Sequence, residues 1–352
     1  MNSRERVTLQ LRHQETDRIP KTDSPWGTTI ERWRKEGLPA DKGPGEFFGY
    51  EFCGAGADNS FRLPTETIED TPEYTITRNG NGAVMKNWKG KTSTPELIEH
   101  TIKDRAGFDL YKDHLEWDAS RIPGQEHLDN YNKQRERGMF CHYAAAVGYD
   151  YSSSTCGPDN LLIAMAEDPG WVADLFDRIA ELTILNAGEM MNRGWVFDGA
   201  FLYDDMGYKN ATFFSPAVYR RLLFPSHKKM CDFFHSHKLP VILHSCGRVT
   251  QFLPYLIDAG FDCLQPLEVK AGMDLLDLKK RYGDRMAYMG GIDVRVMARG
   301  NDEEMRREIG EKIAAAKIGG GYIYHSDHSV PDNVSFESYR KVMELVDKYG
   351  AY

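Results

Sequence analysis

A histidine and a cysteine lie two residues apart in the stretch LHSCGRV, directly after the apolar residues PVI. In an extended segment, side chains at i and i+2 point to the same side, so His244 and Cys246 can act together. Zinc binds imidazole nitrogen and thiolate sulfur, and three protein ligands with one open position form a catalytic zinc site. The alternative is a hydrogen-bonded histidine beside a buried thiol, and a third ligand nearby would favour the metal site.

Five residues near other strand ends are candidates for that third ligand. His328 is preferred, because the segment HSDH at 325–328 follows the last predicted strand, and Asp327 and His325 compete with it. Cys263 lies near the start of its strand and is better explained as a small buried thiol. Glu268 is equally suited to orienting a ligating imidazole from outside the metal site.

Paired acids, Asp204 and Asp205, follow the apolar stretch GAFLY. Carboxylates at a strand end can act as a general base or orient a substrate hydroxyl, and we predict catalytic roles for both, together with Tyr208. The alternative is a solvated turn or helix-capping pair. Tyr203, Tyr208 and Asn210 would supply hydrogen-bonding partners to a pocket beside them.

The remaining candidate substrate-binding residues come from other parts of the chain. Trp26 belongs to an aromatic-rich first quarter, in which some rings can wall a pocket, although core packing explains each ring individually. Asp293 ends the stretch GGID, and Glu268 ends the stretch QPLE. With Tyr203 and Asn210, these residues form the predicted substrate site.

The elements that must position these residues alternate along the second half of the chain. Short apolar strands are separated by helical patterns over 215–237, 249–259, 273–282, 302–317 and 335–348, with earlier helices near 158–166 and 169–193. Such alternation predicts a parallel sheet covered by helices. Candidate strands within DRIPKTDSPW and MFCHYAAAVGY raise the total to about seven by these patterns.

We predict a (β/α)8 TIM barrel, although one strand is missing from that total. Five strands end in polar or small residues, namely YDD, HSC, QPLE, GGID and HSDH, and active sites of barrels are built at the rim where such ends meet. The N-terminal region adds helices and a probable hairpin near 73–90, where Asn-Gly pairs suit a tight turn. The whole chain, 1–352, is predicted to be a single domain.

Composition excludes several classes of protein. The formal net charge of −9 and the scattered basic residues argue against nucleic-acid binding. No apolar run approaches the roughly 20 residues of a membrane span, and the charged N-terminus lacks the features of a signal peptide, so we expect a cytoplasmic protein that does not act at a membrane. The six cysteines are widely spaced, which predicts reduced thiols.

With these residues placed, the chain resembles the uroporphyrinogen decarboxylase superfamily over nearly its full length, and within it the cobalamin-dependent methyltransferases. The resemblance rests on SRERVTLQLRHQETDRIP, AMAEDPGWVADLFDRI, DDMGYKNATFFSPAVYRRLLFPSHKKM, LHSCGRVTQFLPYLIDAGFDCLQPLE and YMGGIDVRVMARGNDEEM. It implies a TIM barrel. The arginine-bearing segment of the true decarboxylases is replaced here by KTDSPWGTTIERW, so the resemblance does not imply porphyrinogen decarboxylation.

The methyltransferase branch carries a His-x-Cys and a distant Cys as zinc ligands, which implies zinc at His244 and Cys246, with His328 in place of the distant cysteine. Fewer thiolates would favour oxygen over sulfur ligands, and hence a methoxy substrate, with Asp205 as the acid. The chain lacks the corrinoid motif D-x-H-x-x-G, so cobalamin would arrive on a separate corrinoid protein.

The predicted function is therefore zinc-dependent transfer of a methyl group from a small, O-methylated substrate to a corrinoid protein, by a chain that can form a homo-oligomer. Two alternatives remain open. One is a decarboxylase of an unidentified small acid on the same fold, and the other is a non-catalytic barrel that binds a ligand.

Overall fold

Seven parallel strands form the central sheet in this computed structural model, which describes residues 1–352. The strands of the chain are β1 (Phe52–Ala55), β2 (Glu66–Asp70), β3 (Tyr74–Arg78), β4 (Ala83–Trp88), β5 (Glu96–His100), β6 (Phe140–Ala146), β7 (Gly199–Tyr203), β8 (Val241–His244), β9 (Cys263–Gln265), β10 (Ala287–Met289) and β11 (Tyr322–Ile323). The order in the central sheet is β1-β6-β7-β8-β9-β10-β11. The fold is thus α/β with a curled parallel sheet.

Fifteen α-helices accompany the strands, and most of the later ones follow a strand and return the chain to the next. They are α1 (Ser3–Leu11), α2 (Gly27–Glu36), α3 (Pro44–Phe48), α4 (Arg105–Tyr111), α5 (Gln125–Glu136), α6 (Gly148–Cys156), α7 (Pro158–Glu167), α8 (Pro169–Asn192), α9 (Pro216–Val218), α10 (Phe224–Ser236), α11 (Leu253–Ala259), α12 (Leu275–Tyr282), α13 (Val294–Arg299), α14 (Asp302–Ala316) and α15 (Phe336–Gly350). All seven predicted helical segments are present. No helix combines the length and the apolar character needed to cross a membrane.

Alternating side chains of the strands build two hydrophobic layers. In β8, Val241 and Leu243 belong to the large core between sheet and helices, whereas Ile242 belongs to a smaller cluster inside the curled sheet. Val7 and Leu11 of α1 join that inner cluster. The sheet is therefore buried on both faces, as its continuous apolar strands require, and its interior is packed below the site.

The first strand of the sheet is not the one that the sequence predicted. β1 comes from FCGA, whose four residues carry too little alternation to be recognised, whereas the predicted strand within DRIPKTDSPW forms only isolated bridges at Arg18 and Lys21. Its residues 20–22 nevertheless contact both edges of the sheet. Tyr324 N donates to Pro20 O at 2.9 Å, and Glu51 N, just before β1, donates to Lys21 O at 3.0 Å.

The predicted hairpin near 73–90 is confirmed as β3 and β4, the middle strands of an antiparallel sheet ordered β2-β3-β4-β5. Its turn is the Asn-Gly-Asn-Gly stretch at 79–82, where Gly82 has a φ of +75°. That left-handed conformation favours glycine. The segment after β4 reaches the mouth of the central sheet, where Thr94 lines the cavity described below.

Candidate active site

Three potential metal ligands converge at the carboxyl ends of two neighbouring strands. Asp205 follows β7, His244 ends β8 and Cys246 lies two residues later, and their ligand atoms all lie within 4.8 Å of one another. His244 Nε2 is 3.4 Å from Asp205 Oδ1 and 3.5 Å from Cys246 Sγ. A nitrogen, a sulfur and an oxygen donor thus face one point, which is the donor chemistry of a zinc site.

Two glycines allow the loops that carry these donors to touch. A Cβ at Gly207 would lie 2.5 Å from the carbonyl oxygen of Cys246, and one at Gly247 would lie 2.4 Å from the backbone of Gly207. Gly247 also has a φ of +75°, which side chains rarely adopt. The close approach is fixed by Cys246 N, which donates to Asp205 Oδ1 at 2.6 Å.

Gln265 sets the protonation of the His244 ring. Its Oε1 is hydrogen-bonded to His244 Nδ1, and because an amide oxygen only accepts, Nδ1 carries the proton. The lone pair of Nε2 then faces Asp205 and Cys246. Such a partner on the far ring nitrogen is typical of metal-binding histidines.

The electrostatics of the group also suit a cation. Burial lowers the pKa of His244, against the opposing charge of Asp205, so the imidazole is neutral and able to ligate. Burial, together with the charges of Asp205 and Glu268, raises the pKa of the Cys246 thiol. A bound metal ion would reverse this shift, because a coordinated thiol loses its proton. The three side chains therefore fit a divalent metal.

The donor group opens into a cavity of about 650 Å³. Its wall contains the rings of Trp26, Phe52, Phe201 and Tyr203, and the imidazoles of His142, His244, His325 and His328. No lysine or arginine is among its 21 lining residues, and Asp205 is the single carboxylate. The cavity is large enough for a small ligand and presents no cation to bind an acid.

The structure brings Asp205, rather than His328, to His244 and Cys246. β7 is the immediate neighbour of β8, whereas β11 is three strands away, roughly 14 Å at the usual strand spacing. His328 lines the same cavity but lies outside the donor group, with Nδ1 3.3 Å from Ser329 O. Both residues lie at the predicted rim, and of the two only Asp205 shares a point with His244 and Cys246.

Among the other predicted residues, Tyr203 and Trp26 line the cavity, as does His325, a competitor for the third ligand position. Tyr203 lies with its ring centroid 5.3 Å from that of His244. Tyr208 and Asn210 are exposed at the rim and lie off the cavity wall. Their predicted roles would require a substrate that extends out of the cavity.

Asp204 points into the protein rather than into the cavity. It is fully buried, accepts from His227 Nε2 and Asp150 N at 2.8 and 2.7 Å, and has a pKa raised by burial. His227 Nδ1 in turn is 3.0 Å from the hydroxyl of Tyr219. The contacts of Asp204 are those of a residue that anchors α6 and α10 to the end of β7.

The acids at the later strand ends also hold loops in place. Glu268 accepts from Gly247 N at 2.8 Å, which ties it to the loop of Cys246 and leaves it off the cavity wall. Asp293 caps α13 and forms an ion pair with Arg295.

The two remaining third-ligand candidates are placed similarly. Asp327 accepts from Val269 N and Val294 N, both at 2.9 Å. Cys263 is buried in the inner hydrophobic cluster, where the sequence predicted a small buried thiol. Neither side chain belongs to the donor group.

Sequence reasoning missed three residues at or near the site. Gln265 and His142 are polar residues at inward-facing strand positions, a signal that was present in QPLE and MFCHY. Asp150 lies in the first turn of α6, where burial and the charges of Asp205 and Asp204 raise its pKa to about 8. No local pattern marks Asp150, because only the fold brings it to the other acids.

Comparison with known proteins agrees with this architecture. A segment of 182 residues is 26% identical to a uroporphyrinogen decarboxylase of Streptomyces avermitilis and covers 52% of this chain and 48% of that protein. A segment of 108 residues is 30% identical to a uroporphyrinogen decarboxylase of Legionella pneumophila and covers 31% and 29%. The alignments thus span about half, or less, of the length of these relatives.

A solved structure shares the fold over the full length of both chains. It is a methyltransferase from Methanosarcina mazei, with a TM-score of 0.70 and 16% sequence identity. The family model for uroporphyrinogen decarboxylase (URO-D) matches residues 151–349, which include Asp205, His244 and Cys246. On this match over more than half of its length, the chain belongs to the uroporphyrinogen decarboxylase family.

Proposed function

We propose that this protein is a zinc-dependent methyltransferase that moves a methyl group from a small O-methylated compound to a corrinoid carried by a separate protein. The observation that carries the proposal is the three-donor group of Asp205, His244 and Cys246 at the head of a cavity without lysine or arginine. Shared fold with a methyltransferase supports it as an analogy.

In this proposal each residue of the group has a defined task. His244, held by Gln265, presents a neutral nitrogen, while Cys246 and Asp205 supply the anionic donors. Zinc bound there would act as a Lewis acid on the ether oxygen of the substrate. Asp205 is then a ligand rather than the proton donor suggested by the sequence, and Tyr203 covers one side of His244.

The cavity also weighs against the main alternative, decarboxylation of a small acid. The names of the curated relatives favour that reaction. An acidic substrate in a partly buried cavity needs cationic partners, and none of the lining residues supplies one except through protonation of a histidine. A neutral methyl ether needs no such partner.

We also propose that residues 20–22 act as the eighth strand and close the sheet into a (β/α)8 barrel. The support is their pair of backbone contacts, with Tyr324 beyond β11 on one side and Glu51 before β1 on the other. The rim of a barrel is where its loops build active sites.

Elemental analysis and methyl transfer test the proposed function. We expect about one zinc per chain in the purified protein, and its loss in Asp205→Ala, His244→Ala and Cys246→Ala. His328→Ala is the matched control, because it changes a cavity histidine outside the donor group and should retain zinc. Methyl ethers, methylamines and methylthiols are then offered with cob(I)alamin, and formation of methylcobalamin is measured. Absence of zinc, or transfer from no methyl ether, would overturn the proposal.

A further inference from the structure

One buried histidine in the cavity wall has no hydrogen-bond partner. His142, in β6, is 7% exposed, its Nδ1 is buried without a hydrogen-bond partner, and its Nε2 faces Gly54 of β1. Burial lowers its pKa to about 4, so the ring is neutral near pH 7. Buried polar groups are nearly always paired, and among the buried side-chain atoms without a partner, that of His142 belongs to the cavity wall.

The strand neighbours leave room at the Nε2 side of the ring. His142 pairs in register with Gly54 of β1, and a Cβ at Gly54 would lie 2.6 Å from His142 Nε2. Both residues line the cavity. A side chain at position 54 would therefore occupy the space through which Nε2 meets a ligand.

A continuous row of rings connects His142 with the donor group. Successive centroids are 5.3 Å apart from His142 to Phe201, 4.9 Å from Phe201 to Tyr203 and 5.3 Å from Tyr203 to His244. Phe52 borders His142 on the other side, at 6.1 Å. A flat molecule lying along this row would have one end at His244 and the other near His142.

We propose that His142 is a substrate-positioning residue that hydrogen-bonds a neutral hydroxyl or carbonyl group at the far end of a flat aromatic methyl ether. This inference rests on the proposed function in one respect, because it assumes that the ligand is a methyl ether. Either ring nitrogen can carry the single proton, so Nε2 can donate to a carbonyl or accept from a hydroxyl. The neutral ring would bind phenols without attracting carboxylates.

Binding of matched ligands to the full-length protein, measured by calorimetry without corrinoid, tests the proposal. The two pairs are 4-methoxyphenol with methoxybenzene and the longer 6-methoxy-2-naphthol with 2-methoxynaphthalene. In at least one pair, we expect the hydroxylated member to bind about tenfold more tightly, the usual value of one neutral hydrogen bond. His142→Phe, which keeps a ring, should remove that difference and leave the affinity of the other member unchanged.

Two further variants keep the test decisive. Gly54→Ala reaches the same contact from the neighbouring strand and should also abolish the preference, so the proposal stays testable if His142→Phe fails to fold. His100→Phe is the matched control, since His100 is 9% exposed but lies off the cavity and should bind as the parent does.

The outcomes separate this inference from the proposed function. No binding of any of the four ligands, equal binding within both pairs, or a preference that survives both His142→Phe and Gly54→Ala would overturn the role of His142. A preference that depends on His142 in a protein that never methylates cob(I)alamin would instead overturn methyl transfer and retain the binding role.

Discussion

Replacing Gln265 by leucine should weaken zinc binding without removing any of the three ligands. Gln265 is 4% exposed, and its Oε1 is the acceptor for Nδ1 of His244. Leucine has a similar volume but accepts no hydrogen bond. The imidazole would then lose the contact that fixes both its tautomer and its orientation, and part of its population would present a protonated Nε2 to the ion.

The expected loss follows from that single contact. Removing the partner of a metal-ligating histidine typically costs between 10- and 100-fold in metal affinity, which corresponds to roughly 1.4–2.7 kcal/mol. Loss of a ligand itself should have a larger effect, because the donor is removed. Gln265→Leu should therefore lie between the parent and His244→Ala in affinity.

Competition with a chromophoric chelator at fixed pH measures this affinity directly. Gln10→Leu is the matched control: Gln10 is also buried and hydrogen-bonded, to Thr16 and Tyr352, but it lies in α1, at the opposite end of the sheet. It should lower the free energy of unfolding and leave zinc affinity unchanged. Parent-like affinity in Gln265→Leu, or an equal loss in Gln10→Leu, would refute the reasoning.

Three other perturbations have defined outcomes. Asp204→Ala leaves two buried donors unpaired and should lower the free energy of unfolding by about 2–4 kcal/mol in urea titrations, with zinc content retained. Gly247→Ala places a Cβ against the backbone of Gly207, so chelator competition should show weaker zinc binding. A hydrogen bond from Arg6 lowers the pKa of Asp17 to about 2. The ionised carboxylate of Asp17 therefore contributes to stability above about pH 4, and this contribution is lost as the pH falls toward 2. In Asp17→Asn, the free energy of unfolding should depend less on pH over that range.

The fold was predictable where each element carries a periodic signal. Apolar strands such as VILH and GAFLY, and helices that begin at caps such as Ser215 followed by Pro216, were recognisable from a few residues each. β1 was not recognisable in the same way, because its sequence, FCGA, is short and contains a glycine. The packing of residues 20–22 between the two sheet edges depends on contacts with distant parts of the chain, which no local pattern reveals.

The site was predictable as a location but not as a set of contacts. Every polar strand end does lie at one rim, yet Glu268 and Asp293 hold loops there, whereas Asp205 joins the donor group. Strand order separates Asp293, which follows β10, from β8, but β9 adjoins β8 as closely as β7 does. Glu268, after β9, is set apart by its own contact, because its carboxylate accepts from Gly247 N at 2.8 Å. The sequence identifies the residue types at the rim, but the three-dimensional fold determines which of their side chains come close enough to bind one metal ion.

The identity of the third donor, His328 or Asp205, determines the charge of the proposed metal group. With histidine as third donor, the protein would supply one negative charge, and a divalent ion would leave the group at +1. In the proposed site, the carboxylate of Asp205 and the thiolate of Cys246 would supply two negative charges, and the group with a divalent ion would be neutral. The proposed preference for an oxygen-bearing substrate would then rest on the hardness of the carboxylate, in addition to the small number of thiolates. Such a neutral metal group, in a cavity without lysine or arginine, would favour a neutral ligand, which a methyl ether is and an ionised carboxylic acid is not.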